Sequence, residues 1–209
     1  FFNQPKAAEL NFQMFCSSLM PLIDGDKKLL ENLFDIMNGF SSCMEDEMQI
    51  MWKKKLGLKN YDEVLINNLF NLMIISKVDY TKFFRTLSQV PNTVDSLKDC
   101  FYKPCEANIE FEWNSWLESW KNSLDKNISF KEISKAMLLV NPKYTWREWL
   151  VVPAYEKAEE GDYSLVKELQ NIFSDPYSTK SINLDNKFDC LKPNKYFNKG
   201  GISHYSCSS

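Results

Sequence analysis

The sequence predicts an all-α fold, and three observations carry that reading. Apolar residues recur at steps of three and four through most of the 209 residues. Several of these stretches open on a capping signature and close at Gly or Pro. No stretch alternates apolar and polar residues as a half-exposed strand would, and no fixed-period repeat occurs.

The elements follow in order. After Asn3-Gln4-Pro5, the residues Leu10, Met14, Phe15 and Leu19 predict a helix up to Pro21. Leu29, Leu33, Ile36 and Phe40 predict the next, at steps of four, three and four. Met44, Met48, Met51 and Trp52 predict a third, closed by Lys53-Lys54-Lys55 and then Gly57, since basic residues and a following glycine suit a helix C-terminus. Asn60 with Glu63 reads as a capping box for a helix through Leu65, Leu69, Leu72 and Met73. Asp79 is expected to cap a short helix holding Phe83, Phe84 and Leu87, ending before Pro91.

Residues 92–108 read as the loosest part of the first half. Trp113, Trp116, Leu117, Trp120 and Leu124 then predict a strongly amphipathic helix whose tryptophans form core. Ser129 to Glu132 reads as a second capping box, for a helix ending at Asn141-Pro142, and Thr145 to Glu148 as a third. Pro153 is expected to kink or break the helix that follows. Asp162 is expected to cap a last helix with Leu165, Leu169, Ile172 and Phe173. From Tyr177 onward periodicity fades, and an irregular tail is expected.

Composition excludes several functions. A net charge of -3 gives no basic face for nucleic acid. No apolar run reaches the roughly 20 residues of a membrane span. Six glycines and eight prolines argue against Gly-rich phosphate loops and turn-dense sandwiches. The single histidine, His204, leaves little room for His-based chemistry, and arginine occurs only at positions 85 and 147. The chain begins at Phe1, so an excised piece or processed product is expected. Of the six cysteines, Cys16 and Cys43 read as small buried hydrophobes, whereas Cys100 and Cys105 make a poor zinc pair without a second pair or histidine. Cys207 lies third from the end, where a thiol is free to react.

The catalytic motifs of nucleotide enzymes, kinases and hydrolases are missing. Glu45-Asp46-Glu47 points around a helix and cannot converge on a metal, and Asp24-Gly25-Asp26 lacks the rest of a calcium loop. No catalytic, cofactor-binding or metal-binding residue is therefore expected in this chain.

Six separated segments nevertheless agree on one family. Asn3-Gln4-Pro5, Asp79-Tyr80-Thr81-Lys82-Phe83-Phe84-Arg85-Thr86-Leu87-Ser88, Asn141-Pro142-Lys143-Tyr144 with Arg147, Ala158 to Asp162, Asp175-Pro176-Tyr177 and the terminal Ser206-Cys207-Ser208-Ser209 resemble, in this order, the selenoprotein O family of pseudokinase protein adenylyltransferases. The resemblance implies a parent that transfers AMP from ATP, with magnesium, to Ser, Thr or Tyr of proteins. It implies that residues 1–105 are the remainder of a kinase-like C-lobe, 106–177 a helical extension and 178–209 the tail.

It also implies that the ATP and metal ligands precede this chain. The partners would then be the missing N-terminal kinase-like region and the parent's protein substrates. The family location would be mitochondrial in eukaryotes and cytoplasmic in bacteria. Cys207 matches the family's redox position, implying a disulfide with a cysteine of the catalytic core. The sequence departs from the family at Pro153 and in the tail, where Lys192-Pro193-Asn194-Lys195-Tyr196 replaces Pro-Pro-x-Trp and Gly200-Gly201 is added. A non-enzymatic helical scaffold, docking another domain on its aromatic faces, is the alternative. An independent isoprenoid-synthase-type enzyme lacks the Asp-rich helices it would need.

Overall fold

The computed structural model describes residues 3–197. Ten α-helices and short 3-10 turns make up the ordered elements, so the fold is all-α. The chain divides into two compact units, Phe1–Trp52 and Lys53–Ser209, and residues on both sides of position 105 lie in the second.

The first unit holds α1 (Gln4–Leu19), a 3-10 turn at Met20–Leu22, α2 (Lys27–Asn38) and most of α3 (Phe40–Leu56). Pro5 stands in the first turn of α1, where a missing N–H costs nothing. The Asp26 carboxylate caps α2 by accepting from the Lys28 and Leu29 N–H groups, both at 3.1 Å. Phe12 stacks on Phe40 at 4.9 Å, and the Ser41 hydroxyl donates to Glu9 at 2.6 Å. Among its described residues, Cys16 and Trp52 are the buried apolar side chains. Cys43, expected inside, is exposed, because its side of α3 meets solvent.

The second unit is built differently. α4 (Glu63–Ser76) lies against α6 (Ala107–Asn122), and α6 carries the tryptophan stripe into the core. Trp113 and Trp120 are fully buried and Trp116 nearly so. Each indole finds an acceptor: Trp116 Nε1 donates to the Leu65 carbonyl at 2.9 Å and Trp120 Nε1 to that of Leu56 at 2.8 Å. Trp113 Nε1 reaches Ser76 Oγ at 3.3 Å, so burial leaves no indole N–H unmet. Gly57 ends α3 with φ +64, and a Cβ there would lie 2.8 Å from Ile133 Cγ2, so α7 (Phe130–Leu138) packs at glycine distance.

α5 (Tyr80–Leu87) buries Phe83, Phe84 and Leu87 beside residues 94–100. The latter segment, expected to be loose, is a 3-10 helix (Val94–Cys100). Its buried residues Val94, Leu97 and Cys100 repeat every three positions, the period of that helix. A second cluster joins α8 (Glu148–Glu159), α9 (Ser164–Phe173) and α10 (Ile182–Phe188) through Trp149, Leu150, Leu169, Ile172 and Phe188. α8 runs through Pro153 without breaking, and the stretch after Tyr177 is not irregular throughout, because Phe188 anchors α10 in this cluster.

Three caps differ from expectation, one of them that of α9, where Tyr163 and not Asp162 holds the cap position. Asp62, not Asn60, caps α4, its carboxylate accepting from Leu65 N–H at 2.9 Å. Arg147 occupies the cap position of α8, while the Thr145 hydroxyl lies 3.2 Å from that of Thr81 instead. The Ser129 capping box forms as expected. No helix among the described residues is long and apolar enough to cross a membrane.

Candidate functional site

The second unit encloses a network of polar side chains that links segments far apart in sequence. Its centre is Asp79, which is 5% exposed. As the cap of α5 it accepts from Lys82 N–H at 3.0 Å. Arg147 grips both its oxygens, at 2.5 and 2.9 Å, and the Tyr102 hydroxyl adds a bond at 3.1 Å. Burial by itself would raise the Asp79 pKa. The Arg147 guanidinium, with the Lys82 N–H and the Tyr102 hydroxyl, outweighs it and holds the carboxyl below its ordinary value. A bidentate guanidinium is the group that can do this with one residue.

Arg85, one turn further along α5, ties down backbone. It donates to the carbonyls of Leu138 and Asn141, each at 2.9 Å, and of Tyr177 at 2.7 Å. Asn141 is fully buried, its amide donating to the Lys55 carbonyl at 2.8 Å and to Ser88 Oγ at 3.0 Å. The Lys55 ammonium donates back to Asn141 Oδ1 at 3.0 Å and lies 4.6 Å above the Phe84 ring. Burial brings the Lys55 pKa down to about 8.

A third group closes the network toward α10. Lys143 and Tyr144 donate their N–H groups to the Pro176 carbonyl at 2.8 and 3.2 Å. The Lys143 ammonium meets Asp185 at 2.8 Å, the Tyr144 hydroxyl donates to the same carboxylate, and Lys82 pairs with Asp189 at 3.2 Å. No buried side-chain nitrogen or oxygen among the described residues lacks a partner. Each of these polar groups is paired with another protein group, so the network holds the segments that it joins in place.

Three of the sequence motifs therefore meet here: Asp79 and Arg85 from one, Asn141, Tyr144 and Arg147 from the next, then the Asp175-Pro176-Tyr177 backbone. The Ala158–Asp162 motif turns at Gly161 (φ +86), where Asp162 accepts from Ser164 N–H at 2.9 Å. Cys207 and His204 lie outside the described residues. Sequence reasoning missed Lys55, Tyr102, Asp185 and Asp189, which sit in no motif. Lys82 and Lys143 were within quoted motifs, at positions whose identity had carried no weight.

The comparisons with known proteins bear on these same motifs. The sequence profile described as "Protein adenylyltransferase SelO" matches residues 1–174. The chain belongs to the SelO family. Among curated SelO-family relatives, the "Protein nucleotidyltransferase YdiU" of Aromatoleum aromaticum is 31% identical across the whole of this chain and 40% of its own length. That of Flavobacterium johnsoniae is also 31% identical, over the whole chain and 41% of its length. That of Thioalkalivibrio sulfidiphilus is 35% identical over 85% of this chain and 36% of its own. The chain thus spans about 40% of the length of the first two relatives.

Among the described residues, no group of three or more His, Cys, Asp or Glu gathers in a way that could hold a metal ion. Asp79, the most buried acid, is already committed to Arg147, Tyr102 and Lys82. No chemical step is assigned to these residues through a nucleotide or a metal.

Proposed function

We propose that this chain is the C-terminal helical part of a protein that transfers AMP from ATP, with a divalent metal, to Ser, Thr or Tyr side chains of proteins. In this reading the ATP and metal ligands belong to a preceding kinase-like region, and this chain supports that region. One observation carries the reading: the family match covers residues 1–174, and the two motifs within it that hold Asp79, Arg85, Asn141 and Arg147 fold into one saturated polar lock. A lock of that kind holds shape, and in this reading the transfer chemistry lies in the preceding region.

Labelled ATP should mark protein substrates when the full-length protein is assayed, and should not when this chain is assayed alone. Transfer by the isolated chain would overturn the division of labour. Cys207 supplies a redox control in the same reading, motivated by its place in the terminal Ser-Cys-Ser-Ser. Cys207→Ser in the full-length protein should then abolish any response of AMP transfer to reductant, and an unchanged response would remove that role.

The scaffold alternative was motivated by aromatic stripes. The tryptophan stripe of α6 is core, which withdraws that surface from docking.

A further inference from the structure

Several large apolar side chains of the first two helices remain in solvent, although α1 and α2 pack on one another. On α1, Leu10 and Met14 are 54% and 73% exposed, and Leu22 just beyond it is 81% exposed. On α2, Leu29 and Ile36 share a face seven residues apart and are 46% and 59% exposed. Apart from Cys16 and Trp52, every apolar side chain described in this unit is half-buried or exposed. The unit needs a cover.

The size of the family protein indicates what the cover is. The SelO profile matches from residue 1, so α1 and α2 belong to what this chain shares with its relatives. With 40% of the Aromatoleum relative matched, the other 60% lies outside the matched part. A covalently linked region reaches a millimolar effective concentration, so a modest apolar face suffices to hold it. A separate second copy would need on the order of 1,200 Å² or more of buried surface.

We propose that the exposed apolar face of α1 and α2 is an intramolecular interface, covered by the region of the full-length family protein that this chain does not contain. The proposal rests on the reading of the chain as one part of a longer adenylyltransferase. Its occupant is an apolar surface of that missing region, seated along Leu10 and Met14 of α1, Leu22 of the turn that follows, and Leu29 and Ile36 of α2.

The test uses the full-length protein carrying Met14→Cys, Leu22→Cys or, as a control on a polar position, Lys28→Cys. Maleimide labelling of each site is followed by peptide mass, native against urea-unfolded. The first two should label at least about 100-fold more slowly in the native protein, and the control within about threefold. Equal native and unfolded rates at Met14→Cys and Leu22→Cys would overturn the interface. Protection that vanishes on dilution would assign the face to a second copy and overturn it as well.

Hydrogen exchange of the unsubstituted protein over 4–19 and 27–38 checks the result without a mutation. Rates like those of a free helix there would equally sink the proposal. AMP transfer is measured on the same samples. Protection without transfer fails the activity reading alone, and transfer without protection fails the interface alone.

Discussion

In the first unit, Leu29, Leu33 and Ile36 repeat at steps of four and three, and the first and last of them lie in solvent. In the second, Trp113, Trp116 and Trp120 repeat at three and four, and all three are buried. The two patterns predict helices equally well, and both helices form. What differs is the supply of a partner. α6 has α4 beside it and carbonyl or hydroxyl acceptors for its indoles, whereas α2, which meets α1, covers Leu33 only in part and leaves Leu29 and Ile36 exposed. Periodicity reports that a face is to be covered, and says nothing of whether this chain covers it.

The comparison is sharpest where a side chain is deleted from each unit. Trp113→Ala removes a fully buried ring that packs at a tilt against Phe83, 5.2 Å between centroids, and should cost about 4 kcal/mol in urea unfolding of the second unit. A loss below about 1 kcal/mol would mean that the indole is not core.

Next in size is the polar lock. Arg147→Ala leaves the Asp79 carboxylate buried with only Tyr102 and the Lys82 N–H, and should cost about 3 kcal/mol at neutral pH. The Asp79 pKa is lowered in the folded state, so the stability it contributes is complete above the ordinary carboxylate value of about 3.9. It is lost as the pH falls through the lower folded-state value. Unfolding measured from pH 5 to pH 2 should therefore show a steeper acid loss in the native chain than in Arg147→Ala, and parallel curves would contradict the lock.

Lys55 gives a second pH effect of the same sign, in an alkaline window. Its folded pKa of about 8 lies below the ordinary 10.5, so the unfolded chain holds more protons between those values. Stability should rise with pH across that window and flatten in Lys55→Met. A flat profile in the native chain would show that the ammonium is better solvated than its position over Phe84 implies.

The smallest change is expected in the first unit. Leu22→Ser, at a position 81% exposed, should shift the unfolding of this chain by no more than about 0.5 kcal/mol. A loss comparable to that of Trp113→Ala would erase the contrast between the units.

Helix starts show where local reading runs short. Asn60 and Asp62 both precede α4 and both suit a cap; the carboxylate that meets Leu65 N–H is the second. Thr145 has capping chemistry and the correct spacing, yet its hydroxyl lies beside Thr81 and the cap position falls to Arg147, whose guanidinium holds Asp79. At Ser129 no tertiary partner competes, and the local signature prevails. The 3-10 segment at Val94–Cys100 was legible only as a period of three, and α10 not at all. A seven-residue helix with Phe188 as its buried residue has too few apolar positions to show a period.

By itself, the sequence determined the all-α class, most of the helices, the burial of the tryptophan stripe and the family. Each depends on residue types repeating at fixed local spacing or standing in a fixed order. Only the tertiary structure decided that Asp79, Arg85, Asn141 and Arg147 close one lock, that Cys43 faces solvent, and that Leu10 and Met14 of α1 and Leu29 and Ile36 of α2 stay exposed. Those outcomes depend on which residues distant in the chain come within hydrogen-bonding or van der Waals reach, and spacing along a chain carries no such distances.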